Sequence, residues 1–193
     1  MPRSPLVLLA ALVLASVPAC LAQQGAPSTW HGLTFGDSID SVRTTLNNQQ
    51  IPTELSQNGS LQSTQDYALF LPGLPSTLPM LSSYHFTPNG GLMDVTLALD
   101  LPALRRSWPD ATGSDDSLAA FAGERLAGAL AGRYGAPLYR SAGCETTSPA
   151  TGPSTPECIV FWSGPQQTVV LERRHTAHGE HLIVRYQMLA TDL

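Results

Sequence analysis

Lysine is missing from this chain: all ten basic residues among its 193 are arginine. Schiff-base catalysis, pyridoxal phosphate chemistry and the phosphate-binding lysine of a P-loop are thereby excluded. Charge of either sign is scarce, at 13% of residues, with net charge −5 and pI near 5.4. Phosphate binding wants clustered Lys and Arg, so no nucleic-acid partner is expected. Cysteine is rare, with three residues. Beyond the N-terminus no apolar run approaches the roughly 20 residues that span a bilayer, so no transmembrane segment is expected in the mature chain.

What is present starts with an export signal. One arginine, an apolar run over 6–17 and the small-residue stretch PACLAQ have the order of a signal peptide over 1–22. Cleavage after Ala22 places Cys20 and Ala22 at the −3 and −1 positions. The competing reading acylates Cys20, but Pro18 spoils the lipobox before it. The mature protein is expected to be exported, periplasmic or secreted, with lipid anchoring through Cys20 as the minority reading. Losing Cys20 leaves Cys144 and Cys158, an even pair in an oxidising compartment. Turn formers fill the stretch between them. A structural disulfide is expected, since redox-active pairs favour C-x-x-C spacing.

Residues 23–29 read as a flexible lead-in, and 30–193 as one domain with a 42% hydrophobic chain to build its core. Asp37 or Ser38 can cap a short helix whose Ile39, Val42 and Leu46 share one face and which stops near Asn47-Asn48. A strand with Tyr67, Leu69 and Leu71 on one face follows, then a proline-rich loop between Pro72 and Pro79. LSSYHF and LMDVTLALD flank the turn sequence TPNGG. In the second strand Met93, Val95, Leu97 and Leu99 alternate with Asp94, Thr96, Ala98 and Asp100, the pattern of a sheet with one wet face. RRSWPDATGSDD reads as a linker.

The longest helix follows, with Leu118, Phe121, Ala122, Leu126, Ala129, Leu130 and Tyr134 as its stripe and Gly135 as its stop. Strands are expected at APLYRSA and CIVFW. A long hairpin is expected over 167–188, with its tip at 176–179. The predicted class is α+β: an antiparallel sheet with two main helices on one face, organised as two diverged half-repeats over about 30–102 and 114–189.

Three features invite chemistry. FGDSI, at Phe35 to Ile39, resembles the opening motif of GDSL-type serine hydrolases, which would make Ser38 a nucleophile. That family also needs a G-x-N-D block and a late D-x-x-H; this chain has neither, and a helix cap explains the motif. His175, His178 and His181 surround the hairpin tip and could hold Zn²⁺ or Cu²⁺, with His175 facing His181 across the strands; an exposed tip, however, has little around it to orient ligands. His31 and His85 are isolated. The aromatic residues fit core positions, and an apolar groove for a peptide or lipid is the alternative use.

Two motifs, G-L-T-F-G-D-S-x-x-x-V-x-x-x-L from Gly32 and L-x-x-x-L-x-x-x-Y-G-x-P from Leu126, together resemble a widespread, mostly uncharacterised group of small exported bacterial α+β proteins. The resemblance implies fold and export, and carries no catalytic residue or cofactor. The function expected is a non-enzymatic binding module for an envelope protein, peptide or lipid, with the histidine hairpin as a metal-binding alternative. An open sheet face that is concave and apolar would mark the binding groove.

Overall fold

The computed structural model describes residues 29–70, 77–108, 113–144, 158–176 and 179–189. The expected signal peptide, Cys20, His178 and most of the lead-in lie outside them.

A 3-10 turn at Trp30–Gly32 leads to helix α1, Ile39–Asn48. Ser38 caps it, its Oγ accepting from the Ser41 N–H. Strands β1 (Glu54–Leu55), β2 (Leu61–Phe70), β3 (Thr77–Phe86) and β4 (Leu92–Leu99) follow as a meander. Helices α2 (Leu101–Ser107) and α3 (Asp115–Tyr134) come next, then β5 (Tyr139–Arg140), β6 (Cys158–Ser163), β7 (Gln167–Thr176) and β8 (Gly179–Met188). All eight strands form one antiparallel sheet in the order β1-β2-β3-β4-β8-β7-β6-β5. A helix followed by four strands thus occurs twice, and the two runs meet where β4 pairs with β8. The fold is α+β, as the alternation of patterns implied.

Cross-strand pairing explains why one face is the core. Leu61, Tyr84, Val95, Tyr186, Val169 and Trp162 lie in register across six strands, and all are buried. Val42 and Leu46 from α1 and Leu118, Leu126 and Leu130 from α3 join the same cluster. Each such side chain contributes roughly 1.5–3 kcal/mol when taken from water. Helix α3 lies over β6, β7 and β8, close enough that a Cβ on Gly123 would meet Leu182 at 3.3 Å.

Several expectations change. The supposed linker begins as α2: the Asp100 carboxylate accepts from the Ala103 N–H, Pro102 fits its first turn, and Leu104 is fully buried. Residues 77–79 belong to β3 rather than to the proline-rich loop, whose 71–76 lie outside the described residues. On α3 the buried alanines are Ala119, Ala122 and Ala127, while Ala129 faces out. The strand expected at APLYRSA shrinks to Tyr139–Arg140. The turn at TPNGG forms as expected, with Thr87 N–H donating to the Gly91 carbonyl at 2.8 Å.

Candidate functional site

The face of the sheet away from the helices carries, at one end, an open groove of about 670 Å³. Its walls come from the ends of β3, β4, β7 and β8 and from the 58–60 loop, so it straddles the seam between the two halves. The loop is held by Asn58, whose Oδ1 accepts from the Ser60 N–H at 3.1 Å and its Oγ at 2.8 Å.

A β-bulge shapes this end. His85 pairs with Asp94 and Phe86 with Leu92, leaving Met93 as the extra residue. A bulge re-aims side chains, so Met93 leaves the core side expected for it and stands 41% exposed in the cavity wall. Leu92 takes the buried place.

Asp94 lies on the cavity floor. It is opposite His85 on β3 and opposite Gln187 on β8, and Arg185 is its diagonal neighbour. One carboxylate oxygen, Oδ1, accepts from Thr96 Oγ1 at 2.9 Å. His85 Nε2 stands 3.9 Å from Oδ1, and Arg185 Nε stands 3.9 Å from Oδ2. Both distances exceed hydrogen-bonding range. Asp94 is only 9% exposed, and its Oδ2 is buried with no hydrogen-bond partner. A buried carboxylate oxygen without a donor is costly. The arrangement is a carboxylate, an imidazole and a guanidinium brought together but not locked to one another, flanked by the apolar arms of Met93, Met188 and Phe86. The groove is concave but its floor is polar, so the concave and apolar face that would mark a binding groove is met only in its concavity.

The other candidates fare differently. Ser38 serves as the helix cap, and Gly36 to Ser38 join the strand region at Gly91 and Leu92. Cys144 and Cys158 form a disulfide between a 3-10 turn and β6. In the β7–β8 hairpin His181 pairs with Arg174 and His175 with Glu180, so the two histidines are not cross-strand partners, contrary to the facing pair expected. Among the described residues no three His, Cys, Asp or Glu side chains gather as a metal would need. Also among them, no helix is long and apolar enough to cross a membrane.

Both histidines set aside as isolated prove to stand beside an aspartate. His85 faces Asp94, and His31 Nε2 lies 2.9 Å from Asp66 Oδ2 in the core. For the groove the available signal was a charged residue inside a largely apolar strand pattern, at Asp94 and Arg185; Asp66, in the polar run QSTQD, gave none. No family model, curated protein or solved structure matches the chain.

Proposed function

We propose that the protein is a non-enzymatic binding module, exported to the cell envelope or secreted, which takes its ligand in the groove at the β4–β8 seam. The observation carrying this reading is the open groove itself, about 670 Å³, whose lining brings the Asp94 carboxylate, the His85 imidazole and the Arg185 guanidinium together. That volume falls in the usual range of small-molecule sites, roughly 300–1,000 Å³. Export is supported by the N-terminal signal pattern and by the Cys144–Cys158 disulfide, a bond that persists outside the cytoplasm.

The methionine methyls are built-in reporters for the test. The purified protein is titrated with a panel of short peptides, oligosaccharides and lysolipids while the Met93 and Met188 methyl resonances are followed. At least one class should shift both resonances, and Asp94→Asn should weaken that response. A panel that moves neither methyl defeats the reading.

A further inference from the structure

Independently of any organic ligand the groove takes, we infer that it holds one soft monovalent metal ion, Cu(I) or Ag(I). The ligands are the thioethers of Met93 and Met188 and the imidazole of His85.

Methionine is distributed unevenly in the chain. Of its four, Met1 falls in the expected signal peptide and Met80 is buried, at 1% exposure. Met93 and Met188 each stand 41% exposed, and both line the groove. They come from the two halves of the sheet. Strands β4 and β8 pair as far as Asp94 with Gln187, and the next step along that ladder is Met93 and Met188. Each is an unbranched side chain with three rotatable bonds, so the two sulfurs can close on one ion from these positions.

The β-bulge supplies the third ligand. Two residues of a bulged strand oppose one on its partner, and here Met93 joins Asp94 opposite His85. The His85 side chain is 37% exposed and lines the same groove.

What the groove withholds decides which ion it takes. Hard cations such as Ca²⁺ and Mg²⁺ want carboxylate oxygens, and Asp94 is the one carboxylate in the lining. Its Oδ2 is closed to solvent, and its Oδ1 accepts from Thr96 Oγ1 at 2.9 Å, which makes it a poor ligand for an ion entering the groove. The accessible soft donors are two sulfurs and an imidazole. Thioethers select Cu(I), whereas Zn²⁺ sites are built from thiolate, imidazole and carboxylate. Arg185 stands 3.9 Å from Asp94, so this pair brings no net charge to the site. A divalent ion would find nothing to neutralise it; a monovalent ion held by neutral sulfur and nitrogen needs less.

The test titrates the purified protein in chloride-free buffer with Ag(I), with Cu(I) under nitrogen in competition with bathocuproine disulfonate, and with Zn²⁺ as the divalent control. The methyl resonances of Met80, Met93 and Met188 and the ring resonances of His85 and His181 are followed. One equivalent of Ag(I) or Cu(I) should shift Met93, Met188 and His85 and leave Met80 in place, while Zn²⁺ should move neither exposed methyl. Met93→Leu and Met188→Leu, which nearly conserve volume, should each weaken Ag(I) binding at least roughly 10-fold, and His85→Gln should do the same. Circular dichroism separates lost binding from lost fold. Ag(I) that shifts His181 while both methyls stay still places the ion at the hairpin and overturns the inference. Equal affinity in both leucine variants, or no binding at all, overturns it too. Where the metals fail but an organic ligand moves the methyls, the groove reading survives alone; where Ag(I) moves them and the organic panel does not, the metal site stands alone.

Discussion

Trp30 and Asp66, 36 residues apart, are joined by the indole N–H, which donates to Asp66 Oδ2 at 2.8 Å with the aspartate wholly buried. The same carboxylate holds the His31 imidazole at 2.9 and 3.1 Å. His31 takes a left-handed backbone, φ 58° and ψ 19°, a conformation costing a non-glycine residue roughly 1–2 kcal/mol. Surrounding bonds hold it there: Gln49 Nε2 donates to its carbonyl, and the Asp66 contact fixes its ring. Removing the carboxylate should therefore do more than remove one bond. Asp66→Ala leaves the Trp30 indole N–H and the His31 ring without their shared acceptor and should lose about 2–5 kcal/mol. Trp30→Phe, which deletes one donor, should lose about 1–2 kcal/mol. Urea unfolding compares them, and equal losses would show that Asp66 is not the anchor.

Burial pushes the phenols of Tyr84 and Tyr186 well above their ordinary value of 10.0, and that of Tyr134 upward as well. The nearby Asp66 carboxylate adds to the effect at Tyr84. The folded state then keeps protons that the unfolded chain releases near pH 10. Stability from these groups is complete below that pH and is lost as pH rises above it. The contribution of these groups to the unfolding free energy should be level up to about pH 10 and then fall by as much as about 1.4 kcal/mol per pH unit for each of Tyr84 and Tyr186. Tyr186→Phe should flatten the decline; an unchanged slope counts against this account.

What could be read in advance followed from local rules. Ser38 as a cap, the turn at residues 87–91 and the Gly135 stop each depend on a few neighbouring residues, and each forms. The groove depends on register. Asp94 and Arg185 lie in strands joined by no short turn, and a one-residue slip between β4 and β8 would exchange the faces of every side chain. His85 reaches Asp94 only because the bulge falls after it. Helix α2 was legible in principle, since Asp100 followed by Pro102 is a start signal, but the polar run after Leu104 obscured it.

The Cys144–Cys158 disulfide closes a separation of 14 residues and ties the 142–144 turn to β6. In the chain-entropy model a loop of this size is worth about 3 kcal/mol. Cys144→Ser with Cys158→Ser should lower stability by about that amount while leaving the Met93 and Met188 methyl positions unchanged, because neither cysteine lines the groove. Mass spectrometry after alkylation should show both thiols labelled only following reduction. Labelling without reduction rules the bridge out.

Gly36 and Gly91 explain why the FGDSI stretch resists reading as a catalytic motif. Gly36 N–H donates to the Leu92 carbonyl and Leu92 N–H to the Asp37 carbonyl, both at 2.8 Å, while Ser38 bridges Gly91. The start of α1 is thereby stitched to the start of β4, beside the bulge that turns Met93 into the groove. A Cβ on Gly91 would approach Gly36 Cα at 3.2 Å and its carbonyl oxygen at 3.3 Å, both backbone atoms that cannot swing aside. Gly36 itself has φ 92°, a region that side chains disfavour. Gly91→Ala should cost about 1–3 kcal/mol through crowding, and Ser38→Ala about 1 kcal/mol through the lost cap. Gly91→Ala should also shift the Met93 methyl, since the bulge begins two residues on, whereas Ser38→Ala should not. Had Ser38 been a nucleophile, its loss would abolish turnover of short acyl esters. As a cap, Ser38→Ala lowers the unfolding midpoint and leaves ester hydrolysis at the buffer background before and after substitution.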